Sequence, residues 1–255
     1  MYEAAHKLPI LLKDLKLSAM TRLWSPIAEE AAKEEWDHPR FLSTLCEHEV
    51  EEKNQKRTAR HLKLSCLPAG KSLATFDFTH VPSISKAKVQ DLSSNTRWIT
   101  QGGTILIFGP SGVGKTHLAA AIGHALIERG VRVLFTSTTT LVQKLQLARK
   151  DLVLPATLDK LDRYGLLILD DIGYVRKDDA ETHVLFELIA HRYESKSLMV
   201  TSNQPFSEWD QIFSNTAMTV AAIDRLVHHA EIFEIVSESY RRLQSKELAP
   251  GVKEG

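Results

Sequence analysis

The chain has 255 residues and carries 32 basic and 32 acidic side chains, so its formal net charge is zero and any contact with nucleic acid must come from a local patch. Hydrophobic residues make up 43% and charged residues 25%, an ordinary globular balance with room for one large domain, or a core domain plus a smaller one. Cys46 and Cys66 have no metal-ligand spacing and no disulfide framework, and no apolar run approaches membrane-spanning length, so a cytoplasmic chain without a membrane partner is expected.

In chain order, residues from about Leu8 to Leu67 read as helices. Leu8, Leu11, Leu12 and Leu15, then Leu23, Trp24 and Ile27, recur at helical spacing. Asp37-His38-Pro39 breaks the pattern, Phe41–Lys63 resumes it, and Pro68-Ala69-Gly70 ends it. Residues 1–70 are therefore expected to form a helical domain and 71–101 a connecting segment around Thr75–Phe78 and Pro82. From Gly102 the texture alternates. Strands are expected at Thr104–Phe108, Val131–Thr136, Leu166–Leu169, Leu198–Thr201 and Glu231–Val236, with helices at Lys115–Arg129, Thr138–Lys150, Ala180–Glu194 and Ala217–His229. The helix from Thr138 is expected to be capped by a nearby serine or threonine. Such alternation marks an α/β domain with a parallel sheet, here residues 102–255.

The first strand runs into Gly109, Pro110, Ser111, Gly112, Val113, Gly114, Lys115 and Thr116, with His117 following in the next helix. This is the GxxxxGK[ST] phosphate loop in its strand–loop–helix setting. Its glycines permit a backbone that turns N–H groups inward as an anion nest, and the helix that follows points its positive end at the same place. Lys115 adds a charge for the β- and γ-phosphates and Thr116 a hydroxyl for Mg²⁺. A nucleoside triphosphate with Mg²⁺ is the expected ligand.

Leu166-Leu-Ile-Leu-Asp170-Asp171 is an apolar strand ending in an acidic pair, the Walker B pattern. Asp170 is the expected metal-side carboxylate and Asp171 the group that polarises the attacking water; an acidic pair at a solvated strand end is the plainer alternative. Leu198–Asn203 is a further apolar strand with a polar end. Asn203 is a candidate for holding the water or the γ-phosphate, since an amide both donates and accepts; a simple turn at Asn203-Gln-Pro is the alternative. Charge that develops during hydrolysis can be stabilised by a cation from a neighbouring subunit, and Arg225 on the late helix is the candidate finger. Arg241 and Arg242 are candidates for sensing nucleotide from the other side. All three arginines can equally be solvated surface residues.

Lys53, Lys56, Arg57 and Arg60 share one helical face, with Lys63 beyond, and such a stripe can follow phosphates without reading sequence. Glu47, Glu49, Glu51 and Glu52 precede it, so a salt-bridged solvated helix is the other reading. His183/His191 and His228/His229 have no evident partner set for a metal and read as surface or packing residues.

Taken together, Gly109–Thr116, Leu166–Asp171 with Ile172-Gly173-Tyr174, Thr201-Ser202-Asn203, Ile223–Leu226, Ser239-Tyr240-Arg241 and the opening Leu15–Met20 resemble the IstB-like helper ATPases of bacterial insertion sequences, relatives of the DnaC helicase loaders within the AAA+ class. The resemblance implies an AAA+ P-loop NTPase fold behind a small all-helical domain. It also implies ATP-dependent homo-oligomers, open spirals or rings, that form on duplex DNA, deform it and present it to a cognate transposase. It implies a helix after the second strand that lines the DNA channel, a place Thr138–Lys150 occupies, with Lys144, Arg149 and Lys150 as phosphate contacts. Asp171 stands where many relatives carry glutamate, which shortens the reach to the water by about one methylene. A DnaC-like loader that grips a helicase is the nearer alternative, and a small-molecule kinase the more distant one.

Overall fold

The computed structural model describes residues 2–173, 178–211, 216–237 and 240. The chain divides into two compact units, Met1–Arg60 and His61–Gly255.

In the first unit, helices α1 (Tyr2–Asp14) and α2 (Ser18–Lys33) precede the long α3 (His38–Ser65), whose last turn belongs to the second unit. Met20, Ile27 and Leu45 form the centre, with Leu12, Leu17, Leu23, Trp24, Trp36 and Phe41 packed around it. The break expected at Asp37–Pro39 is the start of α3. The Arg40 N–H donates to the Asp37 carboxylate at 2.9 Å, and Pro39 falls in the first turn, where a missing N–H costs nothing. The buried Glu49 closes the start of α2: its Oε2 accepts from the N–H groups of Ala19 and Met20 at 2.8 and 3.1 Å.

The second unit holds α4 (Lys86–Ser94), α5 (Arg97–Thr100), β1 (Thr104–Phe108), α6 (Lys115–Glu128), β2 (Val133–Ser137), α7 (Thr138–Lys150), α8 (Leu154–Leu161), β3 (Leu166–Asp170), α9 (Asp179–Arg192), β4 (Ser197–Ser202), α10 (Thr216–Val227) and β5 (Ala230–Glu234). The five strands lie in the order β2-β3-β4-β1-β5, and every neighbouring pair is parallel. Successive side chains go to opposite faces. Leu106, Phe108, Leu167 and Leu169 join one core with α7, α8 and α9, while Ile105, Ile107, Leu166 and Ile168 join the other with α6. Strands buried on both faces read as unbroken apolar runs, which is how the sequence shows them.

Residues 71–101, expected as a connector, are part of this unit. Phe76, Val81, Ile84, Val89, Leu92 and Ile99 are buried in the α6-side core, and α4 is capped by Ser85. The segment is polar overall, and its apolar residues are too widely spaced to announce a helix. β2 begins at Val133 and not at Val131, because Gly130, at φ +84°, lets the Val131 N–H return to the Leu126 carbonyl and close the end of α6. Ser137 caps α7, accepting from the Thr140 N–H at 3.1 Å.

Candidate nucleotide site

Parallel strands bring the carboxyl ends of β1, β3 and β4 to one rim of the sheet, with β4 between the other two. The phosphate loop leaves β1 there. Gly109, at φ +148°, lies so close to the residue just past β5 that a Cβ would stand 2.6 Å from the Ile235 carbonyl oxygen, so no other residue fits. Lys115 is buried at the start of α6, and its ammonium donates back to the loop's own carbonyls, Gly109 at 2.8 Å and Pro110 at 2.9 Å.

Asp170, at the end of β3, receives two hydroxyls. Thr116 Oγ1 lies 3.0 and 3.1 Å from its two carboxylate oxygens, and Thr201 Oγ1 donates to Oδ1 at 2.7 Å. The backbone N–H of Asp171 donates to the same Thr201 hydroxyl at 2.8 Å, and the Ile172 N–H to the Thr201 carbonyl at 3.0 Å. Asp171 takes a left-handed backbone, φ +64°, which aspartate tolerates better than most residues. Thr138, the first residue of α7, donates to the Asp170 carbonyl at 3.1 Å. In the sequence Thr201 stands out only as part of Thr201-Ser202-Asn203 and Thr138 only as the start of a helix; it takes strand order to bring them to Asp170. Asn203 is exposed just past β4 on this rim.

Beside the loop lies a cleft of about 320 Å³ lined by Phe76, Asp77, His80, Val113, His117 and Tyr240, among others. The edge of the Phe76 ring meets His117, with centroids 5.3 Å apart, and His117 Nε2 lies within hydrogen-bond distance of Thr75 Oγ1 and the Ser72 carbonyl. Burial pushes the His117 imidazole below its ordinary value, which favours the neutral ring. The Tyr240 N–H donates to the Gly112 carbonyl at 3.2 Å, which ties this residue to the loop. Tyr174, Ser239, Arg241 and Arg242 lie outside the described residues.

Arg225 is not in this assembly. It donates to the Ala221 carbonyl of its own helix at 2.9 Å and stacks over Phe186, 5.2 Å from the ring centroid. It borders a small cleft with Gly102, Thr104 and Leu198, at the amino ends of β1 and β4. That rim is separated from the phosphate loop by the length of β1, on the order of 13 Å. Beside it, folding gives the His228–His229 pair a neighbour that the sequence did not suggest: Glu194 Oε1 lies 3.9 and 4.0 Å from the two rings.

The basic residues divide by partner. Lys53 pairs with Glu49 at 3.4 Å, and Lys56 pairs with Glu52 while donating to Ser18 at 3.0 Å, so both serve the joint between α2 and α3. Arg57 and Arg60 are exposed on α3, as are Lys144 and Lys150 on α7, whereas Arg149 pairs with Glu187 at 3.6 Å.

A phosphate loop after β1, an acidic strand end on β3 and an inserted β4 carrying polar residues between them define a P-loop ATPase of the AAA+ class. The fold matches the crystal structure of the DnaC helicase loader, with a TM-score of 0.58 at 22% identity over 66% of this chain and 98% of that one. It also matches AMPPCP-bound DnaA from Aquifex aeolicus, with a TM-score of 0.56 at 19% identity over 74% of this chain and 59% of that one. The family model described as IstB-like ATP binding protein matches residues 10–249, and the chain belongs to that family. Among its relatives, an insertion sequence ATP-binding protein of Sinorhizobium fredii is 55% identical over 94% of this chain and 81% of its own length. The ATP-binding protein of insertion sequence IS5376 from Geobacillus stearothermophilus is 38% identical over 92% of both chains. No described helix is long and apolar enough to cross a membrane.

Proposed function

We propose that this ATPase is a helper of transposition: it binds duplex DNA without sequence preference, self-assembles on it with ATP, deforms it and engages the transposase of its element. Support for the element comes from the relatives, which are insertion sequence ATP-binding proteins. Support for ATP-dependent assembly comes from one observation. Arg225 lies at the rim opposite its own phosphate loop, so as a finger it can serve only the site of a second copy.

Within each site, Lys115 exchanges its two loop carbonyls for phosphate oxygens. Thr116 and Asp170 offer a hydroxyl and a carboxylate converging within 3.1 Å, hard oxygen donors that fit Mg²⁺, which neutralises phosphate charge when bound. Thr201 orients Asp170, and Asp171 polarises water with Asn203 beside it. The cleft lined by Phe76 and His117 takes the base, apolar on one side and hydrogen-bonding on the other. Loss of the γ-phosphate removes the group that Arg225 of the neighbour recognises, so hydrolysis releases the assembly.

The test is a titration on equal-length duplex and single-stranded DNA, with and without ATP and Mg²⁺, at two salt concentrations, with Lys115→Ala as control. Large, ATP-dependent complexes on duplex of any sequence are expected. Preference for single strands, or DNA binding only after a helicase is added, would overturn this reading in favour of a loader.

A further inference from the structure

The inner face of α7 is committed to the core: Leu141, Val142, Leu145 and Ala148 are buried with Leu154, Leu158 and Leu161 of α8. Its outer face carries Lys144, Leu147 and Lys150 at helical spacing, and the turn beyond adds Leu152 and Val153. These apolar side chains stand largely outside the core: Leu147 is 63%, Val153 48% and Leu152 90% exposed, the last the highest value among the described large hydrophobic residues. Leu152 also sits at φ +59°. The helix closes with the Leu152 N–H on the Arg149 carbonyl at 3.1 Å and the Val153 N–H on the Ala148 carbonyl at 2.8 Å, a motif that usually places glycine where Leu152 stands. A leucine there is sterically disfavoured where glycine is not, and no core contact offsets it.

Building on the proposed binding of duplex DNA, we infer that Leu152, backed by Leu147 and Val153, is a wedge that enters between stacked base pairs while Lys144 and Lys150 hold the flanking phosphates. Apolar side chains driven into a base step unstack it and kink the duplex whatever its sequence. The charge around the wedge suits DNA. From residue 144 to 153 the chain carries Lys144 and Lys150, both exposed, and Arg149, which is paired with Glu187, against the single acid Asp151. A second copy of the chain is a poorer occupant, because lysines framing an apolar centre are depleted from protein interfaces and favoured at phosphates. The helix that presents the wedge starts from the Thr138 hydroxyl on the Asp170 carbonyl, so it is attached to the nucleotide site.

The experiment uses the full chain with ATP and Mg²⁺ on duplexes carrying single 2-aminopurines, whose fluorescence rises on unstacking, and measures self-association separately without DNA. The variant is Leu152→Asn, which suits the left-handed backbone and so spares the fold. The wild type should raise the fluorescence several-fold. Leu152→Asn should bind DNA within about twofold of wild type yet lose most of the rise, whereas Lys144→Gln with Lys150→Gln should weaken binding and reduce the salt slope by about two. Duplex binding without unstacking, unstacking unchanged in Leu152→Asn, or loss of DNA-free self-association in that variant would each overturn the wedge while leaving the transposition reading intact. Absence of duplex binding by the wild type would instead remove that reading itself.

Discussion

The hydroxyl of Thr201 lies 2.7 Å from the Asp170 carboxylate and also receives the Asp171 N–H at 2.8 Å. One side chain on β4 therefore fixes both acids of the neighbouring strand. It steadies the first by a direct hydrogen bond and sets the second through its backbone, which the left-handed turn at Asp171 would otherwise leave poorly defined. This explains in physical terms why a strand is inserted between the phosphate loop and the acidic strand.

Thr201→Val should therefore act on catalysis more than on binding. Losing a hydrogen bond to a charged group costs about 1.5–3 kcal/mol, or roughly 10–100-fold in kcat if expressed in the transition state. ATP affinity, which rests on the loop and Lys115, should stay within about threefold. Steady-state hydrolysis beside a fluorescent-nucleotide titration separates the two, and Thr201→Ser should recover most of the rate. A variant that loses affinity and rate together would show that Thr201 shapes the pocket and not the acids.

Asp171→Asn tests the water-polarising role without disturbing the backbone, because asparagine tolerates the left-handed conformation as aspartate does. Removing a positioned general base typically costs about 10²–10⁴-fold. Hydrolysis should fall by that order while ATP-driven assembly on DNA persists, now without release. Asp170→Asn should behave differently and weaken Mg²⁺-dependent nucleotide binding as well. Near-wild-type turnover in Asp171→Asn would move the water-activating role to another group.

The phosphate loop, the acidic strand and the alternation of strands and helices were legible because each is local: a glycine spacing, an apolar run, a period. The hydrogen bonds that Thr201 and Thr138 make to the acidic strand and the cleft around Phe76 were not, because they depend on strand order and on the packing of residues 71–101, and neither leaves a periodic trace. The short α8 was hidden by Pro155 in its first turn, which reads as a breaker but is tolerated there. The stripe from Lys53 to Arg60 was ambiguous for a different reason. Charges at i, i+4 look the same in sequence whether they face phosphate or each other, and only the structure separates Lys53 and Lys56, which are paired, from Arg57 and Arg60.

Arg192 is fully buried and ties three elements together. Its guanidinium donates to the carbonyls of Leu161, Tyr164 and Ser197 at 3.2, 3.0 and 2.9 Å and pairs with Asp162 at 3.3 Å. Burial pulls its pKa down to about 10, with Asp162 acting against the shift, and it remains charged at any working pH. Arg192→Ala leaves buried carbonyls and a carboxylate without their donor, which typically costs about 3–5 kcal/mol. Thermal unfolding of the ATPase unit should show a drop of several degrees, and Arg192→Lys should recover only part of it, since an ammonium cannot span the fork.

The joint between α2 and α3 should be acid-sensitive in a defined window. Glu52 accepts hydrogen bonds from Lys56, Ser18 and Arg22, and these partners, Lys56 foremost, hold its pKa at about 2 against an ordinary 4.5. Because the folded value is the lower one, the stabilisation is complete above pH 4.5 and is lost as the pH falls toward 2. Hydrogen exchange in residues 18–33, corrected for intrinsic rates, should accelerate across that window, and Glu52→Gln should show faster exchange already at pH 7 with a flatter profile. The same experiment bears on DNA. If Lys56 serves the joint, Lys56→Ala should loosen α2 and leave the salt slope of DNA binding nearly unchanged. Arg57→Ala with Arg60→Ala should leave α2 protected and reduce the slope by about two. A reversal of the two patterns would place the phosphate contacts on the lysines and make their ion pairs a resting arrangement.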